Sequence, residues 1–444
     1  MLNNGLDNNL VGTKNPIKAK WRAVLSHAGF RRYFVNTGWM FFGQFFSLLV
    51  AFFVGAWIAR YLGPREYGLV NYAVSFAGLF SFIASLGADN ILSRELVRRP
   101  EQRDELLGTA WRLKLVGGVL AFICASGVAL IVESAPLVRL LIFLFSFSFI
   151  FQAAGVISIF FQAEVIAKRN IKVQVLAAAI SALLKIGLIL SGLGIVPLIL
   201  IYALESLFNA LGLFYSYRVY GLKIRDWKFS PVLMKELWRD SWPLMLSGAA
   251  IVLFMRIDQV MIGRLLDASA VGLYAAGVKI AELWYFFPVV ICSSLFPAIV
   301  RARKIDAGLY HRRLRRLYYL LGLSAVALAI PVSLLAEPII FYLFGPDYGP
   351  AVDVLRIYVW SGVGGFLGIA VGQYLLAENF VFINLTTHAG GAVLNIVLNV
   401  FWIKSLGING AALATLVSYL AMPLGLFIFF YFRRRFLEKD NALV

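Results

Sequence analysis

The sequence predicts an all-α polytopic membrane protein with about twelve transmembrane helices, set in two six-helix bundles related by a parallel repeat. Three observations carry that prediction: apolar segments fill almost the whole chain, basic residues divide by membrane side, and the second half echoes the first. The 444 residues are 61% hydrophobic and only 14% charged, with a mean hydropathy of +0.82. A soluble domain carries nearer a quarter charged residues. A hydrocarbon core of about 30 Å takes about 20 apolar residues per helix. Segments of that kind fall near 35–59, 69–92, 111–132, 138–162, 173–193, 195–217, 242–263, 270–298, 317–341, 351–376, 380–403 and 408–431.

Orientation follows from the Lys and Arg count. With the N-terminus inside, inner segments hold 32 of the 41 basic residues and outer segments hold Arg60, Arg65, Arg139, Arg264 and Lys404. That bias predicts both termini in the cytoplasm, and it explains the net charge of +18 without nucleic acid. The remaining four, Lys185, Arg256, Lys279 and Arg356, fall within spans. No cleavable signal pattern precedes the first span; Trp21, Leu25 and Phe30 are expected interfacial anchors in a basic tail over 1–34. Cys124 and Cys292 read as core residues, and neither a disulfide nor a metal site is expected. Most of the aromatic load is expected at lipid or the interface. No Walker A pattern is present, no cofactor is expected, and no extramembrane segment is long enough to fold as a catalytic domain.

The polar segment 218–241 separates bundles at 35–217 and 242–432, and a basic tail closes the chain at 433–444. At an offset of 204 residues, IARYLGPREYGL (58–69) aligns with IGRLLDASAVGL (262–273), with five identities in twelve. Both stretches form the outer loop after the first span of their half. An even number of spans per half makes the repeats parallel, which suggests two bundles rocking around a central cavity.

Ionisable residues inside spans mark functional candidates, because a charge at mid-bilayer costs about 2.5–3.5 kcal/mol on insertion scales. Arg256 lies about 21 Å along span 7, and Lys279 and Glu282 lie about 13–18 Å along span 8. Those depths allow Asp258–Lys279 and Arg256–Glu282 pairs. Lys185 and Glu205 match similarly on spans 5 and 6. Either the pairs merely offset burial, or Arg256, Lys279 and Lys185 receive an anionic head group while Asp258, Glu282 or Glu205 takes a proton. The first-half equivalents of the span 7 and 8 charges are Phe52, Val54, Ser75 and Gly78, so the cavity would be charged on one side only. Asn384, His388, Gly391, Asn395 and Asn399 share one face of span 11, and Asn71, Ser75, Gly78, Ser85 and Asp89 nearly share one on span 2. Helix packing and cavity lining both account for such stripes; His388, Asn395 and Asn399 are the substrate-contact candidates among them.

FVNTGWMFFGQ, ARYLGPREYGLVNYAVSFAGL and MRIDQVMIGRLLDASAVGLYAAGVKIAEL resemble bacterial polysaccharide flippases, the O-antigen and exopolysaccharide repeat-unit translocases of the multidrug/oligosaccharidyl-lipid/polysaccharide superfamily. The resemblance covers about 35–435. It implies a V-shaped alternating-access transporter, not an enzyme, carrying a short oligosaccharide on undecaprenyl diphosphate across the bacterial inner membrane. It also implies membrane lipids, a polysaccharide polymerase and a chain-length regulator as partners. Drug exporters of the same superfamily often place an acid on span 1, and residues 36–59 hold none. A polymerase or ligase would need a large outer catalytic loop, and the longest outer stretch, 342–350, is short.

Overall fold

The computed structural model describes residues 28–303, 306–378 and 380–440, and no strand occurs among them. The first half contains α1 (Ala28–Gly78), α2 (Ser81–Ser85), α3 (Ala88–Arg98), α4 (Arg103–Val132), α5 (Pro136–Ser146), α6 (Ser148–Phe151), α7 (Gly155–Ala163), α8 (Lys168–Leu190) and α9 (Ile195–Val219). The second contains α10 (Pro231–Leu265), α11 (Ala268–Leu283), α12 (Phe286–Arg303), α13 (Ala307–Leu334), α14 (Ala336–Leu343), α15 (Ala351–Tyr358), α16 (Ser361–Ala377), α17 (Val381–Leu406) and α18 (Ile408–Asp440). The anchors expected at Trp21 and Leu25, and the side chain of Phe30, lie outside what is described.

Among the described residues ten helices are long and apolar enough to cross a bilayer, and α15 with α16, bent by 41°, supplies an eleventh crossing. The span expected at 69–92 is composite. Gly63, at φ 71°, turns the chain inside α1, and Pro64 then starts the return path. That path ends at Gly78, resumes in α2, and is broken again by left-handed Leu86 and Gly87 before α3. Hydropathy smooths over such breaks.

Helix starts follow local chemistry. Ser230 caps α10 ahead of Pro231, Asp267 accepts from Ala270 N at 2.8 Å to start α11, and Asp306 accepts from Gly308 N and Leu309 N to start α13. Each such cap contributes about 1 kcal/mol. Arg356 falls in α15, the first part of the span expected at 351–376, and there it is exposed and pairs with Asp353 and Glu337. The aromatic expectation also needs correction. Tyr217, Tyr274, Tyr348, Phe149, Phe161, Phe344 and Phe366 are the largest fully buried side chains, so much of the load packs helices. Cys124 and Cys292 are both free.

The two halves meet along α1 and α3 on one side and α10 and α11 on the other. At the outer end Gly68 lies against the backbone of Ala268 and Gly272, and Gly272 lies against Pro64 and Gly68. The internal repeat makes these two glycines equivalent, and a Cβ on either would collide with backbone. Tyr348 Oη donates to Ala59 O at 2.7 Å nearby. Arg264 donates to Val132 O at 2.5 Å and pairs with Glu133, which also accepts from Tyr72 Oη. Midway down, Ser75 Oγ donates to Gln259 Oε1 at 2.8 Å. At the opposite end, which the basic-residue bias assigns to the cytoplasm, Gly87 fits against Ser241 and Met245 backbone. Beyond it, Arg94 pairs with Asp240 at 2.7 Å and Arg99 with Glu236 at 2.6 Å. This seam is joined from end to end.

Candidate functional site

Two polar centres lie deep in the apolar body. The first is built on Asp258, which is 4% exposed. It is not paired with Lys279, contrary to the sequence expectation; its neighbours are neutral. Tyr274 Oη donates to Oδ2 at 2.7 Å, Thr415 Oγ1 donates to the same oxygen, and Asn399 Nδ2 donates to Oδ1 at 2.7 Å. Asn399 also donates to Asn395 Oδ1, and Asn395 donates to Thr415. Four helices, α10, α11, α17 and α18, thus converge on one carboxylate. Hydrogen bonds to a charged group contribute about 1.5–3 kcal/mol each, so the three donors offset part of the cost of burying this carboxylate. Asn399 Oδ1 and Ser418 Oγ are buried beside this network without a hydrogen-bond partner. A carboxylate, hydroxyls and an uncommitted carbonyl oxygen can hold a proton or a small hard cation.

Asn395 and Asn399 are fully buried in this network, so the span 11 stripe serves Asp258 here, and these two residues do not face an open cavity. The span 2 stripe divides similarly. Ser75 bonds Gln259, Asn71 donates to Tyr67 O, and Asp89 pairs with Lys114 at 2.6 Å. His388 Nδ1 is engaged by Asn384 O at 2.9 Å one turn earlier on its own helix. A cavity of about 350 Å³ between α17 and α18 is lined by Thr387, Gly391 and Met422 among others, but not by His388, Asn395 or Asn399.

The second centre joins lysines from the two halves. Lys185 Nζ pairs with Glu205 Oε2 at 2.9 Å, as the sequence suggests, while Ser181 donates to the same oxygen. The ammonium also lies 4.0 Å from the centre of the Tyr202 ring. Across the interface Lys279 reaches towards Tyr67, 6.0 Å from that ring centre. Gly55 on α1 makes the room: a Cβ there would collide with Lys279 Nζ. No carboxylate lies within ion-pair distance of Lys279 among the described residues. Glu282 accepts from Tyr358 Oη at 3.4 Å, and the Arg256–Glu282 pair the sequence allowed is not among the ion pairs within 4.0 Å formed by the described residues. A cation without a carboxylate partner in an apolar interior can stabilise an anion.

Tyr274, Thr415, Tyr202 and Gly55 escaped the sequence reading. Their one available signal was hydroxyl residues at helical spacing, Thr415 and Ser418 on span 12.

Residues 34–303 match the family described as Polysaccharide biosynthesis protein. The chain is 27% identical over 252 residues to the probable flippase AglR of Haloferax volcanii, covering 55% of this chain and 51% of AglR. It is 24% identical to the succinoglycan biosynthesis transport protein ExoT of Rhizobium meliloti, covering 73% of this chain and 65% of ExoT. The chain therefore spans about half the length of AglR and just under two thirds of ExoT. In shape it is similar to an inward-facing multidrug resistance MATE family transporter of the MOP superfamily, with a TM-score of 0.71 at 15% identity over 88% of this chain and 96% of that one. It is equally similar to the lipid II flippase MurJ in an inward closed conformation, with a TM-score of 0.69 at 15% identity over 87% and 86%. The structural likenesses give the V-shaped two-bundle fold. The sequence match goes further: this multi-pass helical membrane protein belongs to the polysaccharide biosynthesis protein family.

Proposed function

We propose that the chain is a flippase, not an enzyme, that moves an oligosaccharide linked to undecaprenyl diphosphate from the inner to the outer leaflet of a bacterial cytoplasmic membrane. The observation that carries the reading is Lys279, which reaches from the second bundle into the space left by Gly55 on α1 and lacks a carboxylate partner among the described residues. A diphosphate head group would sit between the lysines, and Arg256 would add charge on the cytoplasmic side. The prenyl tail would stay in lipid. AglR is named a probable flippase and ExoT a succinoglycan biosynthesis transport protein, which together support a glycan flippase reading. An outward-moving anion travels with an inside-negative potential, at about 2.3 kcal/mol per charge per 100 mV.

Asp258 is assigned the coupling role. Binding a proton or a sodium ion there would neutralise the carboxylate and let α10, α11, α17 and α18 repack. Drug export on the same fold is the second reading, and the Asp258 centre would serve it equally. The two lysines argue against it, since they repel the organic cations such exporters carry.

The test places purified protein in liposomes with a fluorescent undecaprenyl-diphosphate saccharide and follows its exposure to an impermeant quencher. Lys279→Ala is expected to reduce flipping at least tenfold while the protein stays folded. Unchanged flipping in that variant would refute the anion site, and dye efflux without saccharide flipping would favour drug export.

A further inference from the structure

A groove on the lipid-facing side of the first bundle takes no part in that pathway. It lies between the start of α8 and the end of α9, on the side that the basic-residue bias assigns to the cytoplasm. Its cavity, about 540 Å³, has an apolar body that includes Val173, Leu176, Ile180 and Phe208, and a rim of Lys168, Arg169 and Lys172. Leu176, Tyr215 and Val219 are exposed along it, as expected of a surface that meets acyl chains. A second cavity of about 560 Å³ continues from the first, sharing Tyr215, and carries Arg218, Lys223 and Arg225. The pair thus offers an apolar channel followed by two clusters of three cations each.

Among the described residues those cations are not spent on carboxylates. None of the six is among the carboxylate ion pairs within 4.0 Å formed by the described residues. Two are held by rings instead: Lys168 Nζ lies 4.8 Å from the Trp39 ring centre and the Arg169 guanidinium 5.0 Å from that of Tyr220. A ring orients a cation without neutralising it, leaving the charge available to a phosphate. Gly212 lets α9 approach Val173 at the groove floor, since a Cβ there would collide with that side chain.

We infer that this groove binds an anionic phospholipid of the cytoplasmic leaflet that bears two separate phosphodiesters, diphosphatidylglycerol in chemical class. One acyl chain lies in the apolar channel. One phosphate meets Lys168, Arg169 and Lys172, and the second meets Arg218, Lys223 and Arg225. Basic pockets between transmembrane helices at the cytoplasmic side recognise such head groups. Two clusters, split by Tyr215, match two spaced phosphates better than one phosphodiester or a single compact diphosphate.

Native mass spectrometry of the detergent-purified full chain tests this, titrating diphosphatidylglycerol, phosphatidylglycerol, phosphatidylcholine and undecaprenyl diphosphate separately. Diphosphatidylglycerol is expected to bind at least tenfold more tightly than phosphatidylglycerol. The double variant Lys172→Glu/Arg218→Glu is expected to lose that preference, while Arg315→Glu/Arg316→Glu, elsewhere on the exposed basic surface, keeps it. The neutral pair Lys172→Gln/Arg218→Gln gives the same comparison if charge reversal prevents folding. Equal binding of one- and two-phosphate lipids, or full binding by the groove variants, would overturn the inference. Tighter binding of undecaprenyl diphosphate would overturn it too, by making the groove a substrate dock. Because the readout is binding rather than flipping, the transport proposal stands or falls separately.

Discussion

Asp258 and Lys279 show how a side chain's role depends on what stands opposite it. Three donors hold the Asp258 carboxylate, so Asp258→Asn keeps much of the shape but removes the charge. We expect the variant to fold, to flip at a rate at least tenfold lower, and to lose any dependence on a proton or sodium gradient. Flipping in liposomes with and without each gradient checks this. Asn399→Leu does the reverse, leaving a buried carboxylate short of a donor. The loss of about 1–3 kcal/mol is expected as a lower thermal midpoint, with a larger drop than for Ser405→Ala at the exposed end of the same helix. Lys185–Glu205 was legible in the sequence because both residues are charged and lie on consecutive spans. The partners of Asp258 were not. Asn399 and Thr415 are uncharged and 141 and 157 residues away, and hydropathy cannot tell a polar knot from a wet wall.

At the level of elements, hydropathy located most helices and missed their interruptions. Gly63–Pro64, Leu86–Gly87 and the bend between α15 and α16 involve few residues, and averaging over twenty hides them. Charge at helix ends was similarly undervalued. Glu95, 2% exposed, is drawn on by Arg94, Arg98 and Arg99, and Arg94 and Arg99 reach across to Asp240 and Glu236 on α10. This cluster pins α3 to α10 at the cytoplasmic end. Arg99→Glu is expected to separate the two helices there, and Arg99→Glu/Glu236→Arg to restore the contact. Maleimide labelling of a cysteine placed at Ser241, in a chain with Cys124 and Cys292 replaced, reads the change; equal labelling of all three proteins would contradict it.

Across the whole molecule, the repeat supplies symmetry and the charges break it. Phe52 and Val54 stand where the second half has Arg256 and Asp258, so the proposed coupling chemistry would sit in one bundle while both bundles share the mechanics. Gly68 and Gly272 belong to the shared part. Either glycine changed to Val should wedge the outer ends apart by similar amounts, measured as a longer spin-label distance across the outer face; a shift for only one would contradict their equivalence. That crossing has a further consequence. Because the two helices of the repeat touch there without side chains, we expect them to act as a fulcrum with no padding, both levers turning about the same point. Under the proposed mechanism, work done on one arm, by a cation seating at Asp258 or a head group at Lys279, would then be delivered to the other arm without slack.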